Sequence, residues 1–305
     1  MDFGILAQHL FNGLMLGVIY AMVAVGFSLF FGVLDVINFS HGDVVTVGAF
    51  AMLGALVGAE WLHVPAALGL LLGLIATIAA GCLVGVGMAR SLILPLRFAP
   101  PVNVLLGTLM AGTVMHEVIR LFVPNGGNPK PFPSLFSNVT YRLGSFSVGA
   151  DSVVILLFGL VLVFGTHLVI SKTKLGLAIR AVAQDSETAR LSGINFQKTV
   201  LGTFAIGSVL ATLAGCMLGF YYREINFNMG VLLGVIGFAA AVVGGLGSLV
   251  GPIIGGFLFA GVQTLVVVLM PFSSEYKDVI VFAVIIVLLG IFPTGLLAER
   301  RSERV

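Results

Sequence analysis

Asp35-Val36-Ile37-Asn38-Phe39-Ser40-His41-Gly42-Asp43 is a run of carboxylates, amide, hydroxyl and imidazole in a tract otherwise apolar from Ile5 to Gly58. Asn38, Ser40 or Asp43 could cap the helix that follows. A helix N-terminus there would attract an anionic group such as a carboxylate. Two readings stand. Non-helical backbone inside a membrane is tolerated only where protein or a water-filled cavity covers it, which would make this a lined path. An ordinary turn between two spans, with solvated polar groups, is the other, and the length of the run before Asp35 favours it. A second break, Gly244-Gly245-Leu246-Gly247-Ser248-Leu249-Val250-Gly251-Pro252 through Gly256, has the glycine and proline density that ruptures a helix. It reads either as a broken helix on a transport path or as a glycine-lined packing seam. The candidate pathway residues are therefore Asn38, Ser40, His41 and Asp43, with Gly247 and Ser248. His116-Glu117 with Arg120 reads as an interfacial ion pair near the outer end of its run, Glu117 and Arg120 being three apart on one helix face.

A third stretch, 172–198, carries a different chemistry. Leu175, Ile179 and Val182 repeat at helical spacing, with Arg180, Gln184, Asp185 and Glu187 on other faces. Asp185 can cap a second short helix through Leu191 that contains Arg190, and Gly193 can end it. Such a segment suits docking of a soluble partner, or it lies on the membrane surface as an interfacial helix.

Catalysis finds no footing. His116 is followed four places on by Arg120, so the zinc-protease His-Glu-x-x-His fails. Leu246 and Val250 replace the glycines that a Gly-x-Ser-x-Gly nucleophile turn around Ser248 would need. No Gly-Lys dipeptide exists, so the chain holds no P-loop for ATP. Asp35, Asp43, Glu60, Glu117, Glu224 and Glu275 lie near span ends or breaks, which disfavours intrinsic proton coupling. The sequence thus points to no catalytic residue, metal site or cofactor, and Cys82 and Cys216 in apolar runs read as packing residues.

The elements that position these residues follow from composition. Of 305 residues 59% are apolar and 9% charged, with 15 Lys and Arg and 13 Asp and Glu. A soluble chain of this length carries roughly 75 charges. A soluble enzyme, a disordered chain and a nucleic-acid binder are excluded. Apolar runs at 5–34, 44–59, 64–88, 102–122, 151–171, 199–219, 231–248, 251–271 and 277–297 are too long for barrel strands. The fold class is an all-α polytopic membrane protein with about 8–10 transmembrane helices, some short or discontinuous, forming one permease domain over 1–305. Pairs such as Gly13/Gly17 and Gly81/Gly85 point to close helix packing. No internal repeat stands out.

Arg90, Arg97, Lys172, Lys174, Arg180, Arg190, Lys198, Arg300, Arg301 and Arg304 fall in one set of connections. The opposite set holds only Arg120, Lys130, Arg142, Arg223 and Lys277. The richer side is cytoplasmic, which puts the C-terminus inside and, with nine spans, the N-terminus outside. The N-terminus lacks the basic region of a cleavable signal. An external loop at 124–150 is turn-rich, with a short hairpin expected between Asn138 and Val148; the sequon at Asn138 is of the kind that arises by chance.

With these features placed, a resemblance emerges. Gly17-Val18-Ile19-Tyr20-Ala21, leading through Gly26 and Gly32 to Ile37-Asn38-Phe39-Ser40-His41-Gly42-Asp43, resembles the first signature of the branched-chain amino acid ABC importer permeases. That family usually has Ala and Glu where Ser40 and Asp43 stand. Gly176 to Asp185, then Ala189-Arg190-Leu191-Ser192-Gly193-Ile194-Asn195, looks like its cytoplasmic coupling loop, and Gly244–Gly256 is similar to a third signature. Leu105 to Leu121 followed by Pro124-Asn125 also fits. The shorter of the two permeases is the nearer match. The resemblance implies a subunit of the bacterial inner membrane that pairs with a second permease. It also implies a periplasmic substrate-binding protein and two cytoplasmic ATPase subunits docked on 172–198, with the ATP site on those chains. A permease of the same superfamily for a sugar, nucleoside, urea or amide, and a self-sufficient secondary carrier, remain alternatives.

Overall fold

The computed structural model describes residues 3–135, 140–143, 146–269 and 276–297; Asn138 and the basic residues Arg300, Arg301 and Arg304 lie outside them. The described residues form an all-α polytopic bundle. Seven helical stretches are long and apolar enough to cross a bilayer, and α10 (Met229–Gly244) and α12 (Lys277–Ile291) are shorter apolar helices. These nine elements match the nine apolar runs.

Three helices make the centre. The most hydropathic windows of α1 (Phe3–Leu34) and α9 (Phe196–Tyr222) are 83% and 72% buried inside the protein. That of α2 (His41–Trp61) is 56% buried. By contrast α3 (Ala66–Met88), α5 (Pro101–Phe122) and α6 (Ala150–Lys172) are each only 22% buried over that window. Their apolar flanks are what lipid would solvate. α3 continues through a π-helical turn, Ala89–Ile93, into the single turn α4 (Leu94–Leu96).

Glycine sets the helix spacing at the crossings. On α3, Gly81 and Gly85 meet the Ser208 and Phe204 carbonyls of α9 so closely that a Cβ would displace backbone. Gly54 and Gly58 of α2, also four apart, meet no other helix among the described residues of this chain.

The chain direction is fixed at both ends of α9. Beyond its C-terminus β4 (Glu224–Ile225) pairs antiparallel with β1 (Lys130–Pro131), and Arg223 forms an ion pair with Asp151 at the start of α6. The expected hairpin is present as β2 (Thr140–Leu143) and β3 (Phe146–Gly149), and the Ser147 amide donates to Gln8 on α1 at 3.3 Å. The N-terminus of α1 thus shares an end of the bundle with the 124–150 region. The N-terminus of α9 and the segment 172–198 occupy the other end, so α1 and α9 run in opposite directions.

Candidate functional site

The polar stretch after α1 is not a surface turn. Asp35 takes φ 57°, reversing the chain, and Val36 to Ser40 are non-helical. His41 then places Nε2 at 3.2 Å from the Val23 carbonyl of α1. Val23 lies eleven residues, about 16 Å, before Leu34, so the His41 ring reaches well back along α1 from its end. The sequence argument that α1 crosses before Asp35 is correct. Its corollary, a solvated turn, fails: Asn38, Ser40, His41 and Asp43 are all buried.

Their bonding explains how they are tolerated there. Ser40 Oγ donates to Asn38 Oδ1 at 2.6 Å and lies 3.2 Å from Met88 Sδ on α3. The Phe39 amide donates to Thr108 Oγ1 on α5 at 3.2 Å. Ser40 occupies the N-cap position of α2, but its side chain makes no cap hydrogen bond because Asn38 engages it. His41 is fully buried between the ring edges of Phe27 and Phe30, centroids 4.8 and 4.9 Å away, and its Nδ1 has no partner among the described residues. Gly26 makes room for it, since a Cβ there would overlap the imidazole.

Asp43 brings in a residue that the sequence placed elsewhere. His116 Nδ1 on α5 sits 3.0 Å from Asp43 Oδ1, and Gly112, one turn earlier, packs against the same carboxylate and Ser40 Cα. His116 therefore belongs to the α2–α5 contact. Its expected grouping persists alongside: Arg120 with Glu117 at 2.6 Å is the exposed same-helix pair that the spacing indicated, and His116 Nε2 lies 3.8 Å from Glu117.

Gly247 and Ser248 sit apart from this cluster. The turn between α10 and α11 (Gly251–Leu269) has left-handed φ values at Gly245 and Gly247, 112° and 87°. It is tied to α1 through Ser28, whose Oγ donates to the Ser248 carbonyl at 2.7 Å and accepts from the Gly247 amide at 3.0 Å. Ser248 Oγ also accepts the Gly251 amide at 3.0 Å, a local cap for α11. The glycine run turns the chain from α10 into α11, and Gly251, Gly255 and Gly256 seam α11 to α10 and α1, as the packing reading expects.

At the opposite end from the 124–150 region, 172–198 folds as two short helices. α7 (Lys174–Gln184) starts at Thr173, whose Oγ1 accepts the Gly176 amide at 3.1 Å. It buries Gly176, Ile179 and Val182, while Leu175 lies against Gly202 of α9. Arg180, Gln184 and Leu177 face outward, and Arg180 Nη2 donates to the Ser171 carbonyl at 3.2 Å. Asp185 caps α8 (Ser186–Leu191), accepting the Glu187 and Thr188 amides at 3.0 and 3.2 Å and the Thr188 hydroxyl at 2.8 Å. Gly193, at φ 84°, ends α8 in the left-handed conformation, just beyond exposed Arg190 and Leu191.

A re-entering polar segment at one set of crossings and an amphipathic helix pair at the bundle end now stand together. The family model of the branched-chain amino acid transport system permease component matches residues 9–289. The chain belongs to that family. It is 32% identical over 310 residues to the high-affinity branched-chain amino acid transport system permease protein LivH of Escherichia coli K12, covering 98% of this chain and 97% of LivH. The LivH of Salmonella typhimurium LT2 shows the same identity and coverage. BraD, the corresponding high-affinity permease protein of Pseudomonas aeruginosa, is 32% identical over 307 residues, with 98% and 97% covered.

Within this permease the cap at Asp185 gives a direct test of the short helix. Asp185→Ala removes three acceptor bonds, a loss of about 1 kcal/mol for an N-cap. Amide exchange across 186–193 is expected to quicken about fivefold, with α7 unaffected. Unchanged exchange would show that α8 does not depend on its cap.

Proposed function

We propose that the chain is a transmembrane subunit of an ATP-driven importer for branched-chain amino acids. Membership of the branched-chain permease family over almost its whole length is the observation that carries this. The site fits the role. The polar groups of the re-entering segment are few and mostly bonded to the protein, and Phe27, Phe30 and Met88 stand against them. Such a path conducts an aliphatic amino acid without holding it tightly, and leaves selectivity to a periplasmic binding protein.

The partners follow from the same reading. A second permease completes the path, and two cytoplasmic ATPase subunits dock on 172–198, where exposed Leu177 and Leu191 flank Arg180 and Arg190. Asn38, Ser40, His41 and Asp43, all buried in this state, back the inner part of the path, with Gly247 and Ser248 bordering its cytoplasmic end. ATP binding closes the ATPase pair, and α7 passes that motion to α1 and α9, on which it packs. The basic excess of the α7 end supports a cytoplasmic position for it, and with it for the C-terminus, in an inner membrane.

Purification from the native membrane should bring down an ATPase chain, and reconstituted complex should accumulate labelled leucine only with ATP and binding protein. Arg180→Glu is expected to uncouple ATP hydrolysis from uptake. Uptake by this chain alone on an ion gradient would replace the importer with a secondary carrier. Competition by xylose but not by leucine would replace the solute.

A further inference from the structure

Asp35 and Arg223 are alike in a way that extends beyond each residue. Both are non-glycine residues in the left-handed region, at φ 57° and 60°. Each directly follows a long central helix, α1 or α9, and each opens a non-helical segment that leads to a new helix, at His41 or Met229. The two segments also share sequence at a constant offset: Ile37-Asn38-Phe39-Ser40-His41-Gly42 against Ile225-Asn226-Phe227-Asn228-Met229-Gly230.

Three matched residues in a row could be coincidence, but the packing repeats at the same offset. Gly42 lies against the Gly230 carbonyl and Gly234, and Gly230 lies against the Gly42 carbonyl and Thr46. Thr46 and Gly234 are themselves equivalents. α1 crosses α11 while α9 crosses α3, and α10 lies on α1 as α2 lies on α9. Because α1 and α9 run oppositely, the relation is an internal two-fold in the membrane plane, passing between Gly42 and Gly230. A repeat that does not stand out along the sequence is thus visible in the packing.

The two copies differ in state. Asn38 is buried and its Oδ1 accepts from Ser40, itself fully buried. Asn226 has a buried Oδ1 that accepts no hydrogen bond among the described residues, and Asn228, the equivalent of Ser40, is exposed. The equivalent asparagines thus differ in bonding, and the residues equivalent at Ser40 and Asn228 differ in exposure.

We propose that Ile225–Gly230 is the second gate of the solute path, with Asn226 and Asn228 as pathway residues that exchange environments with Asn38 and Ser40 during transport. The proposal rests on the permease reading. Each gate opens toward the end of the bundle from which its segment enters: 35–40 toward the α7 end, 223–228 toward the β1–β4 end. Inverted repeats in different states supply two alternating arrangements from one fold, since exchanging the two states turns the access around.

The test uses the complete transporter with Cys82→Ala and Cys216→Ala, probed by a membrane-impermeant maleimide in right-side-out and inside-out vesicles. Without nucleotide, Glu224→Cys is expected to label from the β1–β4 side and Val36→Cys from the α7 side. Labelling of both from one side would overturn the proposal, whatever the solute. On trapping with ATP and vanadate, Asn228→Cys is expected to label about tenfold more slowly and Ser40→Cys about tenfold faster, as a two-state exchange requires. Changes in the same direction, or in neither, would also overturn it. Two-sided labelling together with failed leucine uptake would refute the solute and leave the paired gates standing.

Discussion

Gly230→Val is expected to abolish transport and to lower the melting temperature of the purified permease by several degrees. Gly42 and Gly230 meet backbone to backbone where α2 and α10 begin, and a Cβ on Gly230 would overlap the Gly42 carbonyl oxygen and crowd Thr46 Oγ1. Neither obstacle yields cheaply. The carbonyl belongs to the first turn of α2, and Thr46 Oγ1 accepts the Gly230 amide at 3.0 Å. Overpacking of this kind costs about 1–3 kcal/mol, and the interhelical hydrogen bond that it breaks adds roughly 0.6 kcal/mol. Valine cannot rotate out of the overlap, because the clash starts at Cβ and its χ1 is restricted. The same substitution at Gly54, where a Cβ meets nothing within 4 Å, should leave melting within about 1 °C of the parent. Equal melting of the Gly230 and Gly54 variants would show that the α2–α10 contact is not close.

The second large effect lies at Asp43 and His116. His116→Ala leaves a carboxylate at a largely buried position with its ring partner gone. Removing one partner of a buried hydrogen bond leaves the other unsatisfied, a loss of about 1–3 kcal/mol. Asp43→Asn in the same background replaces the carboxyl with a neutral amide, so the double variant should recover part of the loss in thermal stability. A double-mutant cycle on melting would read the coupling directly, and strictly additive effects would show that the two side chains act independently.

These two sites mark where the sequence was silent. Apolar runs reported the helices because lipid-spanning helices need about twenty apolar residues, whatever packs against them. The α7–α8 segment was legible down to single residues. Its information is local: the Leu175, Ile179 and Val182 stripe, the cap at Asp185 and the stop at Gly193 all act within a few positions. Depth is not local. Asp35 to Asp43 spells the same letters whether the chain stays at the surface or climbs back along α1, and only the His41 contact with Val23 decides. His116 was assigned by its neighbours Glu117 and Arg120, yet a helix has other faces, and its partner lies on α2. The repeat was hidden for a related reason: membrane helices draw on so few residue types that resemblance outside Ile-Asn-Phe-x-x-Gly is buried in general hydrophobicity.

α6 packs on both α1 and α9 and leaves most of its length to lipid. It has no equivalent in the packing match of α1, α2 and α3 with α9, α10 and α11, and each of those series is followed by one further apolar helix, α5 or α12. A unit of four passes returns the chain to the face from which it set out, and a second such unit joined directly would insert the same way up. A single additional crossing is what turns the second unit over. α6 is in that sense a parity element, and a chain lacking it would hold two units facing the same way, with no inverted partner for the first.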